Sequence, residues 1–282
     1  MSTPPVLTDR AALALHRRRA RSLGGDAMFL HGIAADVLQE RLDEVNRTFS
    51  DTAVITGHPE FWSRRFPNAT VRPDDETLDL REGAHDLVVH AMSLHWANDP
   101  VGQLVQARRA LCPDGLFLCV AFGGNTLSEL RAAMAEAEVA VSGGLSPRVL
   151  PMGEIRDMGA LLQRAGFALP VADTLTQTVT YESPLPLVRD LRGMGETNAL
   201  AQRDRGPPKR ALFAEAMRVY SSAFRSEDGR VRATFDLVFL TGWAPSDAQP
   251  KPLRPGSAKA RLADALGTPE LPAGDTTGPP KD

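Results

Sequence analysis

Two stretches of this 282-residue chain, "HDLVVHAM" (85–92) and "LFLCVAF" (116–122), are apolar almost without interruption. A strand with one wet face alternates polar and apolar residues. A short continuous run bounded by turn residues marks a strand buried on both faces, as in a parallel sheet covered by helices on each side. Between the two runs, Val101, Leu104, Val105 and Leu111 keep helical spacing up to "PDG" (113–115), which predicts a turn. The alternation extends in both directions. Upstream, Ile33, Val37, Leu38, Leu42 and Val45 share one helical stripe, the strand Ala53–Thr56 ends at Gly57, and Pro59 opens a short helix that closes before Pro67. A brief strand over 69–72 and a loop over 73–77 follow. Downstream of Gly123-Gly124 comes an Ala-rich helix with Asn125 or Thr126 as its cap, then a helix over about 153–165 that Gly166 ends. The rest reads as a half-exposed strand over 173–181, a short helix after Pro186, a long helix over about 208–225 and a strand over 233–243. This order predicts an α/β, Rossmann-like, doubly wound sheet, mainly parallel, with a late antiparallel strand.

The expected organisation is amino-terminal helices over 1–50, the sheet domain over 51–243 with a helical insert at about 184–226, and a disordered tail over 244–282. That tail is rich in Pro, Gly and charge and allows a helical turn or two at 257–266. A net charge of −3, from 32 basic and 35 acidic residues, argues against a nucleic-acid partner. No apolar run approaches the roughly 18–20 residues that cross a bilayer, so no transmembrane segment is expected. Cys112 and Cys119 make no disulfide framework or zinc site and suit packing in a reducing cytoplasm, with a peripheral position at the inner membrane face as the other option. The Arg-rich "HRRRAR" (16–21) fits an ordinary helix with a basic face, capped by Thr8, with Asp9 in its first turn and Gly24-Gly25 stopping it. A mitochondrial-type transit peptide would share the arginines.

In such sheets a ligand lies outside the carboxyl ends of the strands, at the switch point. Here those ends are Thr56–Gly57, Arg72–Asp75, Met92–Trp96 and Phe122–Gly124. They carry a family likeness. The segment 74–100, "DDETLDLREGAHDLVVHAMSLHWANDP", resembles the middle of a class I S-adenosylmethionine-dependent methyltransferase. More narrowly, "SLHWANDP" (93–100), "FGGNTLSELR" (122–131), "GGLSP" (143–147), "DLRGMGETN" (190–198) and "EDGRVRATF" (227–235) resemble the mitochondrial respiratory complex I assembly factors of that fold and their alphaproteobacterial relatives. The likeness spans about 7–243 and extends, more distantly, to the malonyl-carrier-protein methyltransferases of biotin synthesis. It implies S-adenosylmethionine as cofactor, with Gly57, Asp74, Asp75 and Met92 facing it. It also implies a complex I subunit as protein partner and hydroxylation of an arginine in that subunit.

The chain departs from the family pattern at the cofactor. Of the usual glycine-rich turn only Gly57 is in register, and Pro59 and Phe61 stand at the second and third glycines. The span from Gly57 to Asp74 is too short for two crossovers, which need at least about 20–24 residues. One strand–helix unit, and the ribose-binding carboxylate with it, is expected to be missing. Asp74 or Asp75 then matches the adenine-side acid, or Asp74 ends a shortened second strand and takes the ribose. Cofactor binding is accordingly expected to be weak or lost. His95 is the candidate general acid–base, and Trp96 an aromatic wall for an arginine or another cation. Asn125 replaces an acid of the family pocket, and Glu196 and Asn198 sit in a glycine-flanked loop suited to substrate or partner. No metal is expected, since in the close histidine pair His90 and His95 the first lies inside a strand. Three readings stay open: an assembly factor that modifies an arginine, a non-catalytic assembly chaperone, and an active methyltransferase acting on a small molecule or carrier protein.

Overall fold

A computed structural model describes residues 6–23, 27–206 and 209–249. Its elements are α1 (Arg10–Leu23), α2 (Phe29–Glu44), β1 (Thr52–Thr56), α3 (Pro59–Arg65), β2 (Thr70–Arg72), β3 (His85–Ala91), α4 (Pro100–Ala110), β4 (Leu111–Gly123), α5 (Ser128–Ser142), α6 (Ile155–Ala165), β5 (Ala168–Tyr181), α7 (Pro184–Gly193), α8 (Arg210–Ala223) and β6 (Val231–Trp243). The strands form one sheet in the order β2-β1-β3-β4-β6-β5. The pairs among β1 to β4 are parallel, and β6 runs antiparallel to β4 and β5. From β1 the chain goes to β2 on one side and then crosses to β3 on the other. The switch point therefore lies over the carboxyl ends of β1 and β3, where this architecture binds ligands.

The apolar runs are explained by the two layers. On one face Val54, Val89, Leu118 and Phe239 pack with Leu30, Ala34 and Leu38 of α2 and Val219 and Tyr220 of α8. On the other, Ile55, Val88, Phe117 and Leu240 pack with Leu104 and Ala107 of α4 and Leu162 of α6. Cys119 lies in the second layer, where burial pushes its thiol well above the ordinary range. Between Gly57 and Asp74 there is one helix, α3, and one strand, β2. The sheet thus has six strands, and β2, only three residues long, pairs directly with β1 through Ala53 and Thr70. Asp74 accordingly follows a shortened second strand.

Several local expectations change. α2 starts at Phe29 rather than 33, because Leu30 is also fully buried. The "PDG" turn is absorbed into β4. Its pairing with β3 jumps from His85–Leu111 to Leu87–Leu116, and Asp114 takes φ 63 inside this irregularity. Thr8 does not cap α1. It forms an isolated bridge to Leu200, and Asp9 accepts the Ala12 N–H at 3.1 Å instead. Neither Asn125 nor Thr126 caps α5. The residue before the helix is Leu127, at φ 55, and the Thr126 hydroxyl accepts from the Asp236 N–H at 2.9 Å. α7 opens at Pro184, two residues before Pro186. Gly24-Gly25 and the tail from 250, including 257–266, lie outside the described residues. Among those described, no helix is long and apolar enough to cross a membrane.

Candidate functional site

At the end of β1, the His58 N–H bonds back to Thr56 Oγ1 at 3.1 Å and α3 begins at once with Pro59. Proline at this position gives up an N–H that a helix start leaves free anyway, so Pro59 is a helix opener rather than an obstruction. Phe61 lies on the same helix, edge-on to His31 at 5.8 Å between centroids. What fills the space over Gly57 is Arg17 of α1. A methyl group at 57 would overlap the Arg17 guanidinium carbon, and Gly195, at φ +76, makes similar room for the Arg17 backbone, with its missing Cβ 3.1 Å from Arg17 Cα. Arg17 is 6% exposed. It belongs to the apolar stripe of α1, with Leu13 one turn before and Ala20 one turn after, although it was expected on a basic outer face.

Past the end of β2, the buried Asp74 receives that guanidinium. Its Oδ1 accepts from Arg17 Nη1 at 2.7 Å and its Oδ2 from Arg10 Nη1 at 3.3 Å, while its carbonyl accepts from Arg10 Nη2 at 2.6 Å. Burial alone would raise the Asp74 pKa, but the charges and hydrogen bonds of Arg17 and Arg10 outweigh it and hold the value at about 2. Asp75 is different. Its carboxylate is largely exposed, with one long 3.7 Å contact to Arg10.

Past β3, Met92 is buried at φ 51, its N–H bonded to Val120 O at 2.8 Å, so it packs beneath the site. The chain then makes a short 3-10 turn, Leu94–Trp96, before Asp99 caps α4 by accepting the Gly102 N–H at 2.7 Å. The turn aims two side chains at the loop after α7. Trp96 Nε1 donates to Glu196 Oε2 at 2.8 Å, and His95 Nε2 lies 3.3 Å from the same oxygen. Burial raises the Glu196 pKa, but His95, Arg17 and the Trp96 N–H together bring it below its ordinary value. Glu196 Oε1, also buried, has no hydrogen-bond partner among the described residues. Asn198 is structural in part: Nδ2 donates to Pro147 O at 2.9 Å and Oδ1 accepts the Leu200 N–H at 3.0 Å, which ties the "GGLSP" loop to this one.

Three of the sequence candidates, His95, Trp96 and Glu196, therefore meet at one point. Asn125 does not join them. Its side chain is exposed, and its N–H donates to Asp236 Oδ2 at 2.8 Å at the helix start. Beside Trp96 and Glu196 opens a cavity of about 250 Å³ walled by Phe122, Leu130, Phe213 and Phe235. Sequence reasoning missed His31 and His58. Their rings stand 4.7 Å apart, both lose basicity by burial, and the His58 pKa falls to about 4. His90 faces away from the cavity, into Gln103 at 2.9 Å. Among the described residues, no group of three His, Cys, Asp or Glu side chains is arranged to hold a metal ion.

A methyltransferase domain family matches residues 31–119, from α2 into β4, and so includes three of the four strand ends. Over 198 residues, 70% of this chain, the sequence is 39% identical to the arginine-hydroxylase NDUFAF5, mitochondrial, of Danio rerio and 40% identical to that of Homo sapiens. These alignments cover 61% and 57% of the two relatives. A malonyl-[acyl-carrier protein] O-methyltransferase of Laribacter hongkongensis is 36% identical over 183 residues, 65% of this chain and 59% of its own length. The chain thus spans less than two thirds of each of these relatives.

Proposed function

From the methyltransferase domain at residues 31–119 and the similarity to the NDUFAF5 arginine-hydroxylases, we propose that this chain is a methyltransferase-like protein that engages an arginine of a partner, a respiratory complex I subunit, with a degenerate S-adenosylmethionine site. The observation that carries the arginine reading is Glu196: a buried carboxylate, held ionised, with one oxygen unpaired among the described residues, on a residue that lines an apolar cavity. An arginine fits such a place. Its three methylenes suit the apolar walls, its guanidinium pairs with a carboxylate in planar geometry, and Trp96 adds an aromatic edge. His95, beside Glu196, is the group positioned to take or give a proton. A carboxylate substrate such as a malonyl group would bring a like charge to Glu196. Of the two cavity arginines, Arg148 is paired with Glu138 at 2.7 Å and Arg192 lies exposed.

The cofactor reading rests on the sheet and on Arg17. With a single crossover between Gly57 and Asp74, Asp74 at the end of the shortened second strand is the acid left to take the ribose, and Arg17, lying over Gly57, already occupies it. The test has two parts. Calorimetric titration with S-adenosylmethionine should give no saturable binding; low-micromolar affinity overturns the degenerate site. Capture of the partner subunit should fall at least about tenfold in Glu196→Gln. In a deletion strain, mass spectrometry of that subunit should show the arginine unmodified, and an unchanged modification would remove the modifying role.

A further inference from the structure

A buried arginine that serves only as a structural tie normally has its N–H groups satisfied. Arg17 does not. Of its three nitrogens only Nη1 is bonded, to Asp74, while Nε and Nη2 are buried without a partner among the described residues. The cradle is nevertheless shaped for it. Gly57 leaves room for the guanidinium plane, Gly195 leaves room for the backbone that carries it, and Asp74 supplies an ionised carboxylate. Around the same crevice, His31 Nε2, His58 Nε2, His95 Nδ1 and Glu196 Oε1 are also buried and unpartnered. Arg17 and Glu196 feel each other's charge, although they make no hydrogen bond. The place over Gly57 thus has room for a guanidinium and a carboxylate to hold it, but its present occupant, tethered to α1, bonds through only one of its three nitrogens.

We propose that Arg17 is a pseudosubstrate: it holds in cis a guanidinium site that an arginine side chain from the partner takes in trans, and α1 must lift for that exchange. The proposal rests on the arginine-directed reading above and adds its regulation. The resting chain keeps the carboxylate of Asp74 screened from other cations. An incoming arginine gains Asp74 only by expelling Arg17, so its apparent affinity is reduced by the fraction of molecules in which α1 is already displaced. Once expelled, Arg17 regains hydration for the two nitrogens left bare in the crevice, so its release offsets part of the lost ion pair.

The probe is N-acetyl-arginine amide, with N-acetyl-lysine amide as control, on the full chain. Arg17→Ala is expected to bind the arginine probe at least about tenfold more tightly than wild type, read by calorimetry and by a rise in Tm, with no comparable gain for the lysine probe. In wild type, saturating arginine probe should raise hydrogen exchange across α1, and this measurement stands even where Arg17→Ala does not fold. Equal affinity in the two proteins, no binding to a folded Arg17→Ala, or unchanged α1 exchange in wild type with bound probe each overturns the pseudosubstrate. Failure of partner capture to respond to Glu196→Gln bears on the parent reading instead, since the probe experiment involves no partner.

Discussion

Acid should unfold this protein through its buried histidines well before its carboxylates titrate. His90 is fully buried in β3 and His58 nearly so, and burial lowers both pKa values from 6.5 to about 4. The His90 tautomer follows from its neighbour. Gln103 Nε2 donates to the carbonyls of Asp74 and Asp75, so Gln103 Oε1 faces His90 and the ring carries its proton on Nε2. A second proton on Nδ1 would face only the neutral Ser93 hydroxyl at 3.4 Å, and burial is the main cause that disfavours the charged ring. The sign is that of a group with a depressed folded-state pKa. The unfolded chain binds more protons than the folded one between pH 6.5 and 4, so stability is whole above 6.5 and is lost as pH falls towards 4. At about pH 5 the loss comes to about 2 kcal/mol for each histidine, or about 4 kcal/mol for the pair, at about 1.4 kcal/mol per pKa unit. That is a large part of the roughly 5–15 kcal/mol that holds a domain together. Urea denaturation at about pH 7.5 and about pH 5 reads it directly as a drop in midpoint at constant slope. His90→Gln should shrink the difference by about 2 kcal/mol and His58→Gln by a similar amount, with buried His31 contributing to what remains. A midpoint that stays level across this range, or a pH dependence as large in each variant as in the wild type, would refute the assignment of these two rings as neutral and buried.

The remaining predictions concern Arg17 and the far end of β6. Asp74→Asn leaves a buried guanidinium without its carboxylate and should cost about 3–5 kcal/mol, measured by urea denaturation near neutral pH; a loss below about 1 kcal/mol would mean the pair is not buried as described. Gly57→Ala should destabilise by about 1–3 kcal/mol through overlap with Arg17, and the double variant with Arg17→Ala should be no less stable than Arg17→Ala alone. Additive losses would place the Gly57 requirement elsewhere. Asp236→Ala removes the acceptor of the Asn125 N–H and the Thr176 hydroxyl, at 2.8 and 2.6 Å, and should lower stability by about 1–3 kcal/mol in the same assay.

Much of the fold was legible because its causes are local. The continuous apolar runs of β3 and β4 follow from helices on both faces, and the crossover count between Gly57 and Asp74 follows from chain length alone. What the sequence hid was set by tertiary partners. Asn125 and Thr126 have the chemistry of a cap, but Asp236 of β6, some 110 residues away, claims both the Asn125 N–H and the Thr126 hydroxyl and moves the helix start to Leu127. The "PDG" turn has the right residues, but Ala244 bonds to Gly115 O at 2.8 Å and draws the segment into the strand.

The site divides in the same way. His95 and Trp96 sit side by side in the chain, at a strand end that topology marks as a ligand position, so they could be found without the structure. Glu196 could be suspected from its glycine-flanked loop, but not its convergence on the other two, which depends on where α7 packs. Arg17 is the instructive miss. In a run of four arginines and a histidine, composition argues for a solvated basic face, and Arg18, Arg19 and Arg21 are indeed exposed. Helical phase argues otherwise for one of them, since residue 17 falls between Leu13 and Ala20 on the stripe that must be buried. A charged residue on an apolar stripe requires a buried counter-charge, and the chain offers Asp74, whose own local context points to a nucleoside instead. The two clues lie 57 residues apart and each has an innocuous local explanation. Only their contact over Gly57 shows that the glycine kept at the end of β1 makes room for this protein's own guanidinium.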